Sequence, residues 1–507
     1  MNRSPRPGAG ELVRAVTDPG SWDPWEGTLP GDGDGDADES VVTGSARIAG
    51  HRVALLVSEF GYLGGSVGVT ASGRLARGIE TATRCGLPLL ALPASGGTRM
   101  QDGTLAFLRM VDITRLLADH RAAGLLYCVY LRNPTTGGVL ASWGSLGQLT
   151  FAEPGALVGF LGPRVHELLQ PGALPRSAQR AENLAAHGLI DQVLTPAGFR
   201  RAMAAVLAIL APAAHGDSRT APRHPPAPPL PGPLSGWECV TWTRNPARPG
   251  PRELLDAIAA QTVPLSGAGS GEPSGAMLLA LARVDGRPCI VVAHDPASGL
   301  LPGPGDLRAA RRGMRLAAEL RLPLVTIVDT AGSELSAAAE EGGLAAEIAR
   351  CLSDLMSLPS PTLSVMLGQG GGGAALALLP ADRTVAAAGS WLAPLPPEGA
   401  SALVYRDLDH AADIADAQHV ASGDLRAAGA VDRVVGGMPG AADDPASLLC
   451  RLADTVSAEL TAVTSVDAAA RLARRRERYA GLGAAAASPP GSSRLANASR
   501  AGSAGSR

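Results

Sequence analysis

An internal repeat constrains the fold of this chain more than any other feature. The segment "CGLPLLALPASGGTRM" (85–100) matches "LRLPLVTIVDTAGSEL" (320–335), and "AENLAAHGLIDQVLTP" (181–196) matches "SGDLRAAGAVDRVVGG" (422–437). The offset of roughly 235 to 240 residues between the copies is too long for a solenoid repeat. The sequence therefore predicts a duplicated domain.

Apolar runs of four to eight residues alternate with amphipathic helical patterns within each copy. The runs "VALLV", "PLLAL" and "LYCVYL" in the first copy and "CIVVA", "PLVTIV" and "TLSVML" in the second are continuous, which is typical of strands buried on both faces. Segments such as "GRLARGIETATRC" and "GDLRAARRGMRLAAEL" supply the helices between them. The predicted fold class is α/β, built from repeated ββα units.

Composition shifts along the chain predict where the domains begin and end. The expected parts are an N-terminal extension with an acidic loop (1–40), a first domain (41–210), a proline-rich linker (211–236), a second domain (237–478) and a disordered tail (479–507). The alternating aspartates of "GDGDGDADES" (31–40) lack the glycine and distal glutamate of a calcium loop, so a solvated loop is the favoured interpretation.

The overall composition excludes several classes of function. The net charge of −3 indicates neither a nucleic-acid partner nor an anionic membrane surface, and no apolar run or leader-like segment predicts membrane insertion or secretion. The six cysteines form no CxxC pair, so neither a metal site nor a disulfide framework is expected, and the cytoplasm is the predicted compartment. The chain contains no lysine, which excludes a P-loop, a pyridoxal Schiff base and a biotinylated lysine.

Glycine-rich turns follow a strand at matching places in the two copies, within "LRNPTTGGVLASWGSL" (131–146) and "VMLGQGGGGAALALL" (365–379). The first amides of a helix have no internal acceptor, and residues without side chains let an anionic oxygen approach them. A loop after the preceding strand, "SGGT" (95–98) or "TAGS" (330–333), supplies a second donor. Although a lone glycine pair is more often a plain turn, its repetition predicts one oxyanion hole in each copy.

These motifs resemble the carboxyltransferase component of biotin-dependent acyl-CoA carboxylases, in the crotonase superfamily. The first copy is similar to a bacterial acetyl-CoA carboxylase β subunit in "ASGGTRMQDG" and "NPTTGGVLASWGSLG", and the second to an α subunit in "GQGGGGAALALLPADRTVAA" and "PPEGASALVYRD". The resemblance implies two tandem crotonase-like domains, fused in β–α order. It also implies that the halves of two chains meet across a homodimer interface or within a larger ring.

The resemblance also implies roles for individual residues. The thioester enolate oxygen would be held by one catalytic set, Gly97, Thr98, Gly137 and Gly138. The biotin ureido oxygen would be held by the other, Gly332, Ser333, Gly373 and Ala374. The cofactor-binding positions would be Gly64, Gly65, Ser66 and Arg99 on the CoA side, and Gly370, Gly371, Gly372, Pro397, Glu398 and Gly399 on the biotin side. The chain departs from the family at Thr98 (usually alanine), Ala331 (proline), Gln369 (glutamate) and Gly372 (serine), and it lacks the zinc ribbon.

The function implied by the resemblance is carboxyl transfer from carboxybiotin to acetyl-CoA, giving malonyl-CoA for fatty acid or polyketide precursors. The biotin would arrive on a separate biotin carboxyl carrier protein, loaded by a biotin carboxylase, and no metal is expected. Two alternatives stay open: a biotin-independent decarboxylase of malonyl thioesters and a non-catalytic, CoA-binding regulatory protein.

Four local motifs have competing interpretations. "GGSVG" (64–68) fits a hydrolase elbow at Ser66, but no histidine and acid partners are identifiable. "GAGSGEPSG" (267–275) lacks the strand and the acid of a dinucleotide site. His187 fits a surface or capping position at a helix end, and Arg99 fits an interface ion pair as well as an anion ligand.

Overall fold

The computed structural model describes residues 7–29, 37–169, 174–175, 177–212, 234–436 and 445–482, with the side chains of 164, 165 and 169 excepted. The chain forms two compact units. The first comprises residues up to Ala211 together with 265–273 and 319–321, and the second comprises the remainder from Pro212. Most of the acidic loop, most of the proline-rich linker and the tail beyond residue 482 lie outside the described residues.

The strands of the first unit are β1 (Asp23–Glu26), β2 (Val41–Ile48), β3 (His51–Ser58), β4 (Leu89–Leu92), β5 (Tyr127–Leu131), β6 (Thr135–Thr136), β7 (Leu149–Ala152), β8 (Val158–Gly159) and β9 (Gln192–Val193). Its helices are α1 (Ala9–Val16), α2 (Val69–Arg84), α3 (Gly103–Ala122), α4 (Gly137–Leu140), α5 (Pro163–Leu169), α6 (Ala181–Ala186) and α7 (Pro196–Leu210).

The strands of the second unit are β10 (Ala259–Leu265), β11 (Met277–Val284), β12 (Arg287–His294), β13 (Leu324–Thr330), β14 (Thr362–Gly370), β15 (Arg383–Ala387) and β16 (Arg433–Val435). Its helices are α8 (Gly236–Thr243), α9 (Pro251–Ile258), α10 (Pro304–Glu319), α11 (Ala337–Glu341), α12 (Leu344–Ser357), α13 (Gly372–Leu376), α14 (Pro397–Val404), α15 (Ala411–Ala417), α16 (Ser422–Ala427), α17 (Pro445–Thr464) and α18 (Ala468–Gly481).

The two main sheets have the same strand order. One sheet runs β1-β2-β3-β4-β5-β7-β9 and the other β10-β11-β12-β13-β14-β15-β16. In both, an antiparallel hairpin (β2 with β3, or β11 with β12) is followed by parallel strands. The α/β prediction is confirmed, and the shared order gives a structural counterpart to the repeat in the sequence.

The predicted central strands are buried along most of their length because helices cover both faces of each sheet. Every residue of β4, β5 and β13 is buried, as is β3 from Val53 onward. The first core packs Leu75 and Ile79 of α2 and Ile113 of α3 against the sheet. Each parallel strand therefore ends at the same edge, where the loops that follow it come together.

Helix α18 runs on to Gly481, past the predicted end of the second domain at residue 478. Two contacts hold this last turn. The hydroxyl of Tyr479 accepts a hydrogen bond from the amide of Ala381 (3.0 Å), and Arg478 forms an ion pair with Asp432 (2.8 Å). Among the described residues, no helix combines the length and the apolar character needed to cross a bilayer.

Candidate active site

Two loops meet at the carboxyl ends of β4 and β5 in the first unit. The amide of Ser95 donates to the carbonyl of Pro134 (2.7 Å), and the amide of Thr136 donates to the carbonyl of Ser95 (3.0 Å). A Cβ added to Gly97 would lie 3.3 Å from the Cα of Gly137. The structure thus brings together the predicted segments 97–98 and 137–138.

Two of the four amides in these segments are already used within the protein. The Gly97 amide donates to Oγ of Ser95 (3.0 Å), and the Gly137 amide donates to the carbonyl of Phe160 (2.9 Å). Gly137 has a φ of 63°, a conformation in which side chains are strained. The amides of Gly97 and Gly137 therefore hold the turn and are not available to a ligand.

The other two amides are those of Thr98 and Gly138, which have no hydrogen-bond acceptor within the described part of the chain. A Cβ added to Gly138 would lie 4.0 Å from the Thr98 nitrogen, so the two amides are neighbours. The same Cβ would lie only 2.5 Å from Oγ1 of Thr98, and this hydroxyl is buried without a hydrogen-bond partner. Two adjacent free amides can bind one oxygen atom that gains negative charge.

The second unit repeats the main-chain hydrogen bonds of this arrangement. The amide of Gly371 donates to the carbonyl of Thr330 (2.9 Å), as Thr136 does to Ser95, and the amide of Gly372 donates to the carbonyl of Ala393 (2.9 Å). Gly372 has a φ of 65°, matching Gly137. Gly372 and Gly373 therefore occupy the places of Gly137 and Gly138.

The predicted residues Gly373 and Ala374 are each one position beyond the structural counterparts of Gly137 and Gly138. A run of four glycines contains no side chain that marks the register, and only the backbone bonds reveal it. The amide of Ala374 donates to Oγ of Ser333 (3.2 Å), so it is engaged within the protein. The amides of Ser333 and Gly373 have no acceptor among the described residues, and by position they are the counterparts of Thr98 and Gly138.

Side chains that the sequence analysis missed hold the two loops in place. Ser95 and Thr330 occupy equivalent positions, and each side-chain oxygen accepts the amide two residues later, from Gly97 (3.0 Å) and Gly332 (3.3 Å). Aligning "SGGT" with "TAGS" would have pointed to these two side chains, because a residue with a hydroxyl group stands first in both segments.

A buried polar network lies behind the second pair. Arg248 donates to both carboxylate oxygens of Asp329 (2.6 and 2.7 Å), and these side chains are 9% and 0% exposed. The carboxylate of Asp329 also accepts the amide of Gln369 (3.0 Å), and its own amide donates to Nδ1 of His294 (3.2 Å). Asp329 thereby connects the end of β13 to the end of β14. Burial lowers the pKa of His294 to about 4, so its ring is neutral at pH 7.

Arg99, a predicted cofactor ligand, contacts residues of its own unit in this structure. Its guanidinium forms a buried ion pair with Glu39 and donates to the carbonyl of Ser66 (2.9 Å). Burial raises the pKa of Glu39, but the hydrogen bonds from Arg99 and Ser40 outweigh it and hold that pKa below its usual value. Each nitrogen of the Arg99 guanidinium therefore has a hydrogen-bond acceptor within its own unit.

The glycine loop before α2 packs directly against the first oxyanion loop. The amide of Gly96 donates to the carbonyl of Gly64 (2.9 Å), and Oγ of Ser95 donates to the carbonyl of Gly65 (2.5 Å). Ser66 follows a short 3-10 turn (Leu63–Gly65), and its hydroxyl donates to the carbonyl of Leu63 (2.8 Å). This is not the strand–turn–helix setting that a nucleophilic serine requires.

The remaining predicted residues lie at helix ends. Pro397, Glu398 and Gly399 form the first turn of α14, where Glu398 pairs with Arg244 (2.7 Å). The segment 393–396 leads from the second site to this helix, since an added Cβ on Gly372 would lie 3.5 Å from the carbonyl of Pro394. His187 is exposed at the end of α6, with Nδ1 at 2.7 Å from the carbonyl of Asn183. Within the described residues, no cluster of three or more His, Cys, Asp or Glu could hold a metal ion.

Comparison with known proteins shows which protein family this chain belongs to. The carboxyl transferase domain family matches residues 10–472. The chain belongs to that family. It is 52% identical over 453 residues to the probable biotin-dependent acyl-coenzyme A carboxylase beta3 subunit of Mycobacterium tuberculosis H37Rv, covering 88% of this chain and 90% of that relative.

Two further comparisons also cover most of the chain. The acetyl-coenzyme A carboxylase carboxyl transferase subunits beta/alpha of Salinispora tropica are 35% identical over 468 residues, covering 88% of this chain and 82% of that protein. The crystal structure of transcarboxylase 12S is similar in fold, with a TM-score of 0.72, 22% identity and 90% of each chain covered. The family resemblance stated from the motifs is confirmed.

Proposed function

We propose that this chain is the carboxyltransferase subunit of a biotin-dependent acyl-CoA carboxylase. It moves a carboxyl group from carboxybiotin, held by a separate biotin carrier protein, to the α-carbon of an acyl-CoA. With acetyl-CoA, the acyl-CoA substrate with the shortest acyl group for this reaction, the product is malonyl-CoA. The observation that carries the proposal is the repeated pair of free main-chain amides, because the reaction places negative charge on one oxygen of each of two substrates.

The first pair, Thr98 and Gly138, would hold the thioester oxygen of the acyl-CoA. As the α-proton leaves, charge develops on that oxygen, and the fixed amides stabilise it without reorganising. Because the donors belong to the main chain, side chains matter here by their size. The structure leaves no room for a side chain at Gly138, where an added Cβ meets Oγ1 of Thr98 at 2.5 Å.

The second pair, Ser333 and Gly373, would hold the ureido oxygen of biotin. An added Cβ on Gly332 meets no atom within 4 Å, whereas one on Gly373 would lie 2.6 Å from Cδ1 of Ile348, so the free space beside this pair is on the Gly332 side. When bound, carboxybiotin releases its carboxyl group for bond formation with the α-carbon, and its ureido nitrogen takes up the α-proton. The chain's own task is then to orient both substrates and to stabilise both oxygens, so it needs no general base.

The absence of lysine means that this chain depends on a partner for its biotin. A biotin carboxyl carrier protein and a biotin carboxylase are the partners we propose. The M. tuberculosis relative is named as a β subunit, which is consistent with such a multi-subunit enzyme. Transcarboxylase 12S assembles as a hexamer, and we propose that this chain likewise works as a homodimer or a larger ring.

The reverse reaction tests the function directly. Malonyl-CoA is incubated with the full chain and biocytin, and the release of acetyl-CoA is measured by chromatography. We expect release that requires biocytin and falls sharply in Gly138→Ala. Gly423→Ala is the matched control, since an added Cβ there meets no atom within 4 Å. Release without biocytin would show a decarboxylase, and CoA binding without any release would show a non-catalytic protein; either result overturns the proposal.

A further inference from the structure

We infer that Arg132 and Arg248 are positioning residues, one for the amide pair of each unit, and that each controls how tightly its own unit binds a substrate oxygen. The inference rests on the proposed function, because it takes the first pair to bind the acyl-CoA and the second to bind biotin. It comes from a feature that both units share. A guanidinium with little solvent exposure lies behind the loops that carry the amides, and it belongs to a different segment of the chain in each unit.

Arg132 stands at the root of the turn that carries Gly138, directly after the last residue of β5. Its guanidinium donates to the carbonyl of Ser58 at the end of β3 (2.9 Å) and to the carbonyl of Pro7 (2.6 Å). Its amide donates to the carbonyl of Pro93, which follows β4 (3.0 Å). Arg132 therefore ties the end of β5 to two other strands of the same sheet and to the segment that precedes α1.

The turn between Arg132 and Gly138 has little freedom to absorb a shift at its root. The hydroxyl of Thr135 donates to the carbonyl of Arg132 (2.8 Å), and the amides of the next two residues are bonded as described above. Arg132 is 3% exposed and Ser58 is fully buried, so water cannot readily replace the guanidinium as a donor. Loss of this donor should therefore move the Gly138 amide.

The guanidinium of the second unit reaches the same place from another segment. Pro249 precedes α9 by two residues, as Pro7 precedes α1, and Arg248 is the residue before Pro249. A Cβ added to Gly368 would lie 2.7 Å from Nη1 of Arg248. In the register of the two turns, Gly368 corresponds to the residue that follows Arg132. Arg248 thus lies against the strand end that is equivalent to the root of the first turn.

Arg248 also connects the ends of two strands. Its ion-pair partner Asp329 lies next to the last residue of β13, and the Asp329 carboxylate accepts the amide of Gln369 from β14 (3.0 Å). The Nε of Arg248 donates to the carbonyl of Thr243 (2.6 Å), which fixes the guanidinium from its other side. The loops that follow β13 and β14 carry the second amide pair, so this ion pair supports both loops.

The two arginines are not copies of one residue in the repeat, because Leu367 holds the position of Arg132 in the second unit. The units therefore share the placement of a guanidinium without sharing its origin, which points to a requirement of the site. Amides stabilise a charged oxygen only while they stay aimed at it. A planar guanidinium can hold two acceptors at once in a dry interior, so each arginine acts on its substrate through the amide pair.

Kinetics with two substrates test the inference in the reverse reaction. The KM values of malonyl-CoA and biocytin are measured for the full parent chain, Arg132→Lys and Arg248→Lys, each with the other substrate saturating. Lysine keeps the charge but lacks the planar fork that spans two acceptors. Because one hydrogen bond is worth about two- to tenfold in binding, Arg132→Lys should raise the KM of malonyl-CoA by about that factor and leave the KM of biocytin within about twofold. Arg248→Lys should show the opposite pattern.

Arg475 offers a matched control, because its guanidinium is also buried but lies at the opposite edge of the second sheet. It pairs with Asp382 (2.7 Å), directly before β15, and donates to the carbonyl of Ser360 (3.1 Å), shortly before β14. Both partners precede their strands, whereas the amide pair follows the strand ends. Arg475→Lys should lower the free energy of unfolding and leave both KM values unchanged.

A purely structural role predicts a different result. Both lysine variants would then lower kcat by reducing the folded fraction, with both KM values unchanged as in Arg475→Lys. That result, or a rise only in the KM of the other substrate, would overturn the inference. Where circular dichroism shows that a lysine variant is unfolded, Arg132→Gln or Arg248→Gln replaces it, since glutamine keeps a planar NH2 donor, and the same split in KM is expected.

The parent chain separates failure of this inference from failure of the proposed function. Biocytin-dependent release of acetyl-CoA by the parent, together with unchanged KM values in both lysine variants, would retain the carboxyltransferase and reject the positioning roles. Release that does not depend on biocytin, or no release by the parent, would reject the proposed function and the inference with it.

Discussion

Gly138→Ala should inactivate the first site by geometry, and a second substitution should relieve it. The added Cβ would lie 2.5 Å from Oγ1 of Thr98, well inside van der Waals contact. The turn must shift to relieve this contact, which moves one of the two amide donors. Losing one donor of an oxyanion hole lowers kcat about 100- to 1,000-fold, or about 3 to 4 kcal/mol. Alanine is otherwise the better helix former, so stability should not fall from helix propensity.

The double variant Thr98→Ala/Gly138→Ala makes the reasoning testable. Without Oγ1, the nearest remaining atom to the new Cβ is the Thr98 Cβ at 3.8 Å, which is ordinary contact. We expect the double variant to recover at least about tenfold of the lost kcat in the biocytin-dependent assay, with Thr98→Ala alone close to the parent. A double variant no more active than Gly138→Ala, or a fully active Gly138→Ala, would refute the steric argument.

Three further predictions concern the buried polar groups. Arg248→Met leaves the Asp329 carboxylate buried without its cation and should lower the free energy of unfolding by about 3 to 5 kcal/mol in urea, whereas Arg115→Met, from an exposed pair, should cost less than about 1 kcal/mol. Because the pKa of His294 is about 4 in the folded protein and near 6.5 when unfolded, the unfolded state binds more protons between these values. The stability should therefore fall as the pH drops from 6.5 to 4, on the order of 3 kcal/mol, and His294→Gln should flatten that slope. Arg99→Met should destabilise the fold because it leaves the Glu39 carboxylate buried without its cation, and it should leave the salt dependence of CoA binding unchanged. A weaker salt dependence of CoA binding in this variant would instead show that Arg99 binds an anionic group of CoA.

The sequence predicted the fold well where burial controls it. The continuous apolar runs that became β3, β5 and β13 had a single interpretation, since strands covered on both faces need apolar residues at every position. The register of the second glycine turn could not be read, because residues 370–373 are identical and the choice depends on which amides bond to Thr330 and Ala393. The ion pair of Arg99 could not be predicted from the sequence either, because its partner Glu39 lies sixty positions away.

The departures of the second copy from the pattern that the family resemblance implies fall where side chains do not determine the geometry. Ala331 replaces a proline, but the loop around it is held by the Thr330 side chain and by the amide of Gly371 on the Thr330 carbonyl. Gln369 replaces a glutamate, but its contribution to the network is its main-chain amide on Asp329. Gly372 replaces a serine at a φ of 65°, where glycine is the less strained residue. The amide pair therefore depends on backbone register and on Thr330, Ser333 and Asp329. Substitutions at those three positions should therefore disturb the geometry of the amide pair more than substitutions at Ala331, Gln369 or Gly372.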